Sequence, residues 1–286
     1  MSLHFEPLHP LIGAEVSGID LREPVDEDRV SAINYAMAKF AVLVFREQDI
    51  SADEHASFTR KFGPIDEGLS LATNKKSRID TTDVLDLANV DENGDILPID
   101  DPRNVSLIAN QMWHSDSSFK NPPAKYSILC GLDLPAQGGE TEFADERAAY
   151  DTLSDKMKGK VEGMVAEHWA FHSRNLLGGA HFSADGMDNL PPVDWPVVNT
   201  IPESGRKSLF IGAHTREIRG MATAEARIFL MDLLEHATQR EFVFQHKWQN
   251  HDVLMWDNRC TLHRGRPYEL TQKRELRRCS TEVVFG

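Results

Sequence analysis

Cysteine is scarce in this chain: Cys130, Cys260 and Cys279 are the only three among 286 residues. An odd number so widely spaced provides neither a disulfide framework nor a zinc-knuckle pattern. It points to a reducing compartment, and the cytoplasm is the expected location. Long apolar runs are missing as well. No stretch approaches roughly 18 continuous apolar residues, so no membrane span is expected. The first thirty residues, opening Met1-Ser2-Leu3-His4-Phe5, have no basic segment followed by an apolar run, which argues against a secretory signal. Positive charge is in deficit, with 31 Lys and Arg against 45 Asp and Glu and a net charge of -14. An acidic surface repels phosphate backbones, so nucleic acid is a poor partner. A locally basic site remains compatible with it. There is no Gly-rich phosphate loop of the Walker type and no Gly-X-Ser-X-Gly elbow.

The apolar share of 41 % is ordinary for a globular protein, and the length suits one sizeable core. We expect a single domain over 1–286. Asp26 to Phe40 reads as a helix with Val30, Ile33, Ala36 and Met37 on one face. Ala41 to Phe45 reads as a buried strand. Ser51 to Phe62 reads as a helix opened by a Ser51–Glu54 capping box, which satisfies two backbone donors at once. Residues 64–110 are polar and weakly periodic, and a mobile lid is expected around Gly68 to Ser77.

From Trp113 onward, short strand-like runs alternate with turn signals. They are Tyr126 to Leu132, Thr141 to Ala144, Leu209 to Gly212, Phe242 to His246, Val253 to Trp256 and Glu275 to Phe285. Two helices interrupt them, at roughly Arg147 to Glu162 and Thr223 to Thr238. This spacing predicts a mainly β protein with flanking helices, a double-stranded β-helix or jelly roll at its centre.

The main chemical signal is Trp113-His114-Ser115-Asp116. On a strand, His114 and Asp116 project to the same side. With a distant second histidine they make a two-His, one-carboxylate set, which leaves three positions open on an octahedral metal and suits non-haem Fe(II) oxygenases. His-X-Asp alone is weak, since it arises by chance at many strand ends. The distant histidine is His263, followed by a turn at Gly265 and Pro267. Arg274, Leu276 and Arg278 then alternate, so both guanidiniums face one side. Aimed into a barrel they demand anions, and a bidentate arginine suits a carboxylate. Without His114 and Asp116, a basic edge strand facing solvent explains them equally well.

Together these residues resemble the taurine dioxygenase family of Fe(II)/2-oxoglutarate enzymes. The ordered set is His114-Ser115-Asp116, Thr141 within Gly138-Gly139-Glu140-Thr141, then His263 and Arg274. The likeness runs from Leu8-His9-Pro10-Leu11 to Arg274-Glu275-Leu276-Arg277-Arg278. In detail it is most similar to the dioxygenases that cleave phenoxyacetate herbicides, through Asn110-Gln111 and Leu234-Glu235-His236-Ala237-Thr238. The resemblance implies that His114, Asp116 and His263 bind Fe(II). It implies that Thr141 and Arg274 hold the distal carboxylate of 2-oxoglutarate, with Trp256 beside it and O₂ as second co-substrate. Arg278 is implied for a substrate anion or the proximal carboxylate, and Asn110 and His214 for the substrate side. A small anionic organic substrate and a homo-oligomer are expected on the same ground. One departure is Thr200-Ile201-Pro202, where the family often has a histidine.

Other histidines have simpler readings. His4, His9, His55, His236, His246 and His251 suit surface or packing positions. His168 and His172 stand four apart, but Trp169-Ala170-Phe171 reads as strand or loop core rather than a metal-binding helix. The same triad without an anion pair would suit a jelly-roll hydrolase or isomerase. A taurine or alkylsulfonate dioxygenase, or a non-catalytic metal-binding jelly roll, are the remaining alternatives.

Overall fold

The computed structural model describes residues 2–66, 78–79, 81–101, 103–178 and 190–285. The expected lid at 68–77 lies outside them. Among the described residues the largest sheet has seven strands. Their order is His4–Pro7, Ala14–Ser17, Val42–Phe45, Val253–Asp257, Ala124–Asp133, Glu275–Glu282 and Leu85–Ala88. A smaller sheet orders Val243–His246, Thr141–Asp145 and Thr261–Gly265.

Period-two alternation explains how these sheets stack. Val42 and Val44, with Leu254 and Trp256, face Phe143 and Phe244 of the smaller sheet. Leu43 and Phe45, with Val253 and Met255, face the opposite way. There they meet Ile33 and Met37 of helix Glu27–Phe40 and Phe58 of helix Ala52–Arg60. Each of these buried side chains contributes roughly 1.5–3 kcal/mol. On its other side the smaller sheet packs Ala144 and Leu262 against Phe229, Leu230 and Leu233 of helix Thr223–Ala237. The result is the expected jelly roll with helices outside.

Several elements differ from the sequence reading. The helix expected over 147–162 is two, Glu146–Thr152 and Asp155–Val161. Ser154 is extended and its side chain accepts from the Met157 N–H, which starts a new helix. The strand expected over 209–212 is Lys207–Leu209. Residues 64–110 are not featureless, since they hold the edge strand Leu85–Ala88 and the helix Arg103–Ala109. Ala170–Leu176 is a helix rather than strand or loop. The capping box is present, with Ser51 and Glu54 bonded in both directions. Among the described residues no helix is long and apolar enough to cross a membrane.

His55 and His168 are buried within this frame, and desolvation lowers each from 6.5 to about 4. Both therefore fold neutral while the unfolded chain binds protons. Their contribution is complete above about pH 6.5 and is lost as pH falls toward 4, at most about 1.4 kcal/mol per pH unit for each. The urea midpoint should be level from pH 8 to 7 and fall between pH 6.5 and 4. His55→Gln should flatten that fall; an unchanged slope would contradict it.

Candidate metal centre and its anion pocket

His114 and His263 meet through an isolated antiparallel bridge. The His114 N–H donates to the His263 carbonyl at 3.0 Å, and the His263 N–H returns a bond of 2.8 Å. The expected strand at 114–116 is therefore corrected to a single bridge followed by a turn. The turn still brings the carboxylate round. His263 Nε2 lies 3.6 Å from Asp116 Oδ2, and His114 Nε2 lies 3.9 Å from Asp116 Oδ1. One ligand atom from each of the three falls within 4.8 Å of the others, and all three residues are buried.

The surroundings prepare these atoms for a cation. His114 Nδ1 lies 2.7 Å from the Met112 carbonyl. That oxygen can only accept, so Nδ1 carries the proton and Nε2 keeps its lone pair. Burial lowers the proton affinity of both imidazoles, for His263 well below the usual value. Asp116 behaves oppositely. Burial opposes its ionisation, but the Arg278 guanidinium outweighs that and, with the Ser127 hydroxyl donating to it, holds it below the usual carboxylate range.

The orientation of Asp116 is over-determined. Arg278 Nη1 donates to Oδ1, and Ser127 Oγ donates to Oδ2 at 2.7 Å. Asn258 Oδ1 accepts from the Asp116 N–H at 3.1 Å and from Trp256 Nε1 at 2.9 Å. Asn258 Nδ2 then donates to Ser127 Oγ at 2.9 Å. Two buried imidazoles and one anchored carboxylate fit a divalent metal with open positions.

A cavity opens beside the histidines. Its walls include Asn110, Thr141, Trp256, Arg274 and Arg278 together with His114 and His263. The inward alternation expected of Arg274, Leu276 and Arg278 is present, as all three line it. Arg274 lies at the end away from the triad. Its Nη2 donates to the Gly139 carbonyl at 3.1 Å, while its buried Nε has no partner. Among the described residues no carboxylate stands within ion-pair distance of it. Gly139 has φ +72, and a Cβ there would approach Arg274 Nε to 3.1 Å, so the glycine makes room for the guanidinium. Thr141 Oγ1 accepts from Trp248 Nε1 at 3.0 Å, which leaves the threonine proton free to donate into the cavity. A buried cation with an orphaned N–H, next to a free hydroxyl, fits a carboxylate.

His214 is not on this wall. Its ring packs edge-on against His114, with centroids 5.9 Å apart, and against Phe119 at 4.8 Å. Ile201 is buried in the core between the sheets.

Comparison with known proteins settles the family. The description "Taurine catabolism dioxygenase TauD, TfdA family" matches residues 4–280. The chain belongs to that family.

One TauD/TfdA relative is the alpha-ketoglutarate-dependent 2,4-dichlorophenoxyacetate dioxygenase of Cupriavidus pinatubonensis. It is 47% identical over 98% of this chain and 98% of its own length. Another is the (S)-phenoxypropionate/alpha-ketoglutarate-dioxygenase of Sphingobium herbicidovorans, 34% identical over 94% of this chain and 91% of its own. The crystal structure of AAD-2 in complex with Mn(II) and N-oxalylglycine superposes with a TM-score of 0.91. The two are 39% identical, and the match covers 99% of this chain and 97% of that one. This chain is therefore a 2-oxoglutarate-dependent dioxygenase, an activity that calls for a metal and 2-oxoglutarate.

Sequence reasoning missed the residues that steady this TauD/TfdA site. Ser127 carries no motif, and Asn258 stands in Met255-Trp256-Asp257-Asn258-Arg259, a stretch of the family likeness with no role attached; both act through the folded contact with Asp116. Trp248 had a signal: Gly131 interrupts a strand, and a Cβ there would meet the Trp248 ring at 2.9 Å.

Proposed function

We propose that this chain uses Fe(II), 2-oxoglutarate and O₂ to hydroxylate an aryloxyalkanoate beside its ether oxygen. The hemiacetal so formed collapses to a phenol and an oxo-acid. The observation that carries this is the pairing of the His114, Asp116 and His263 triad with a cationic cavity, in a chain 47% identical to a 2,4-dichlorophenoxyacetate dioxygenase. Fe(II) with 2-oxoglutarate and O₂ supplies the oxidant for a C–H bond, with succinate and CO₂ as co-products.

The protein's part is placement. Arg274 and the Thr141 hydroxyl bind the distal carboxylate of 2-oxoglutarate and set its direction. Trp256 closes one side of that pocket. His114, Asp116 and His263 would hold the metal and would leave positions for co-substrate and O₂. Arg278 and Ser127 hold the Asp116 carboxylate in its ligating direction. Asn110 stands on the substrate side, whereas His214 packs behind His114, off the cavity wall. In the same reading the chain is a cytoplasmic homo-oligomer, which sedimentation velocity tests for its assembly.

A panel of 2,4-dichlorophenoxyacetate, both phenoxypropionate enantiomers and taurine tests the reading, with Fe(II), 2-oxoglutarate and O₂ supplied. Succinate and phenol should appear in equal amounts with an aryloxy acid. Sulfite from taurine without phenol from any aryloxy acid would overturn the substrate class. Turnover without O₂ would overturn the reaction.

A further inference from the structure

We infer that Asn89 is a positioning residue for the co-substrate: it fixes where Arg274 stands, and so the length of the 2-oxo diacid that the cavity accepts. This rests on the reading of Arg274 as the receptor for the distal carboxylate of 2-oxoglutarate.

A diacid held by a metal at one end and a guanidinium at the other is measured by the distance between them. Arg274 is the residue just before strand Glu275–Glu282, at the end of the loop that follows Thr261–Gly265. The edge strand Leu85–Ala88 pairs with Glu275 to Arg278. Asn89, the next residue, extends that pairing to Arg274. Its N–H donates to the Arg274 carbonyl at 3.2 Å. An antiparallel pair would normally return a bond to the Asn89 carbonyl. That carbonyl instead accepts from the Leu97 N–H at 2.9 Å. The Asn89 side chain supplies the acceptor in its place, and Oδ1 takes the Arg274 N–H at 2.7 Å.

The rest of the amide ties down the loop that carries Arg274. Nδ2 donates to the Gln272 carbonyl at 2.8 Å and to the Leu270 carbonyl at 3.1 Å. Only this orientation of the amide fits. The reverse would set N–H against N–H and oxygen against two carbonyls. Asn89 is 1 % exposed, so losing its amide leaves desolvated backbone groups on the Arg274 loop.

The other flank of the loop is held by the segment around Gly138-Gly139. The Ala136 N–H donates to Gln272 Oε1 at 2.9 Å, and the Gly139 N–H to the Pro267 carbonyl at 3.2 Å. The Arg274 guanidinium lies 5.4 Å from the ring of Tyr268 in the same loop, and both side chains line the cavity. Gripped by Asn89 on one side and by this segment on the other, Arg274 keeps one distance from the triad. A fixed distance suits one chain length, and a single extra methylene in such a site costs roughly 10–200-fold.

The test measures binding of 2-oxoglutarate and of 2-oxoadipate, one methylene longer, to Mn(II)-loaded protein by titration calorimetry. Wild type, Asn89→Ala, Asn89→Ser and Arg274→Ala are compared, with Mn(II) affinity and thermal melting followed in parallel. Wild type should prefer 2-oxoglutarate by roughly 10–200-fold. Asn89→Ala should weaken 2-oxoglutarate roughly 10–100-fold, because a displaced receptor loses its alignment. It should weaken 2-oxoadipate less, so the preference shrinks. Mn(II) affinity should move less than about threefold, since the triad lies at the other end of the cavity. Asn89→Ser retains one hydroxyl and should lie between, and it decides where the alanine variant does not fold. A folded Asn89 variant with the full preference for the shorter diacid would overturn the assignment. So would a wild type that binds both diacids alike, or equal losses of Mn(II) and 2-oxoglutarate affinity. If Arg274→Ala binds 2-oxoglutarate as wild type does, the co-substrate reading fails and takes this assignment with it. If Arg274→Ala loses binding while the Asn89 variants keep it, the assignment alone fails.

Discussion

Asp116→Ala loses at least about 10³-fold in kcat/KM, on the order of 4 kcal/mol of transition-state stabilisation. Asp116 is the one carboxylate of the proposed triad, and Arg278 keeps it ionised despite burial. Its removal takes away a ligand and strands its partners. Arg278 loses the carboxylate its Nη1 serves, and Ser127 loses an acceptor. Metal affinity and stability should therefore fall together. Asp116→Asn separates these effects, because the amide oxygen can still accept from Arg278 while supplying no charge to the metal. It should fold better than the alanine variant and remain almost as inactive. Isothermal titration with Mn(II), alongside succinate release, checks both. Asp116→Asn with wild-type turnover would remove Asp116 from the centre.

Arg274→Ala acts at the other end of the cavity. A buried, charge-assisted contact with a carboxylate is worth roughly 2–5 kcal/mol when one partner is truncated. KM for 2-oxoglutarate should accordingly rise about 10²–10³-fold, with a smaller change in kcat at saturation. The physical reason is visible in the free protein: Arg274 is buried, bonded to the Gly139 carbonyl, and left with an orphaned Nε. The Gly139 carbonyl and the Tyr268 ring offer it partial charges only, and among the described residues no carboxylate pairs with it. Arg274→Lys should recover only part of the loss, because an ammonium cannot reproduce the planar fork. Steady-state kinetics at varied 2-oxoglutarate measures this. An unchanged KM in the alanine variant would reassign the pocket.

The chemistry-bearing residues were legible where local periodicity decides direction. Leu276 and Arg278 alternate on the strand Glu275–Glu282 and Arg274 stands just before it, and all three line one cavity. His114 and Asp116 were legible as a pair, yet for a different local reason than the sequence suggests. One bridge and a turn, rather than a strand, bring them together. Their meeting with His263 is a backbone pairing across about 150 residues, which no local pattern encodes.

What was not legible depends on tertiary approach. The helix Ala170–Leu176 has no apolar stripe and lies in a stretch that reads as strand or loop. Asn258 and Ser127 are ordinary residues until Asp116 folds between them. The break between the helices at 146–152 and 155–161 was readable in part, since Ser154 is a good N-cap. Apolar periodicity continues across it and hides the stop.

The most direct test of the metal centre is a crystal structure of this protein with Mn(II) and N-oxalylglycine. The account requires Mn(II) at roughly 2.2 Å from His114 Nε2, His263 Nε2 and an Asp116 carboxylate oxygen. It also requires the distal carboxylate of the inhibitor on Arg274 and Thr141. Metal held elsewhere, or a ligand carboxylate far from Arg274, would contradict it.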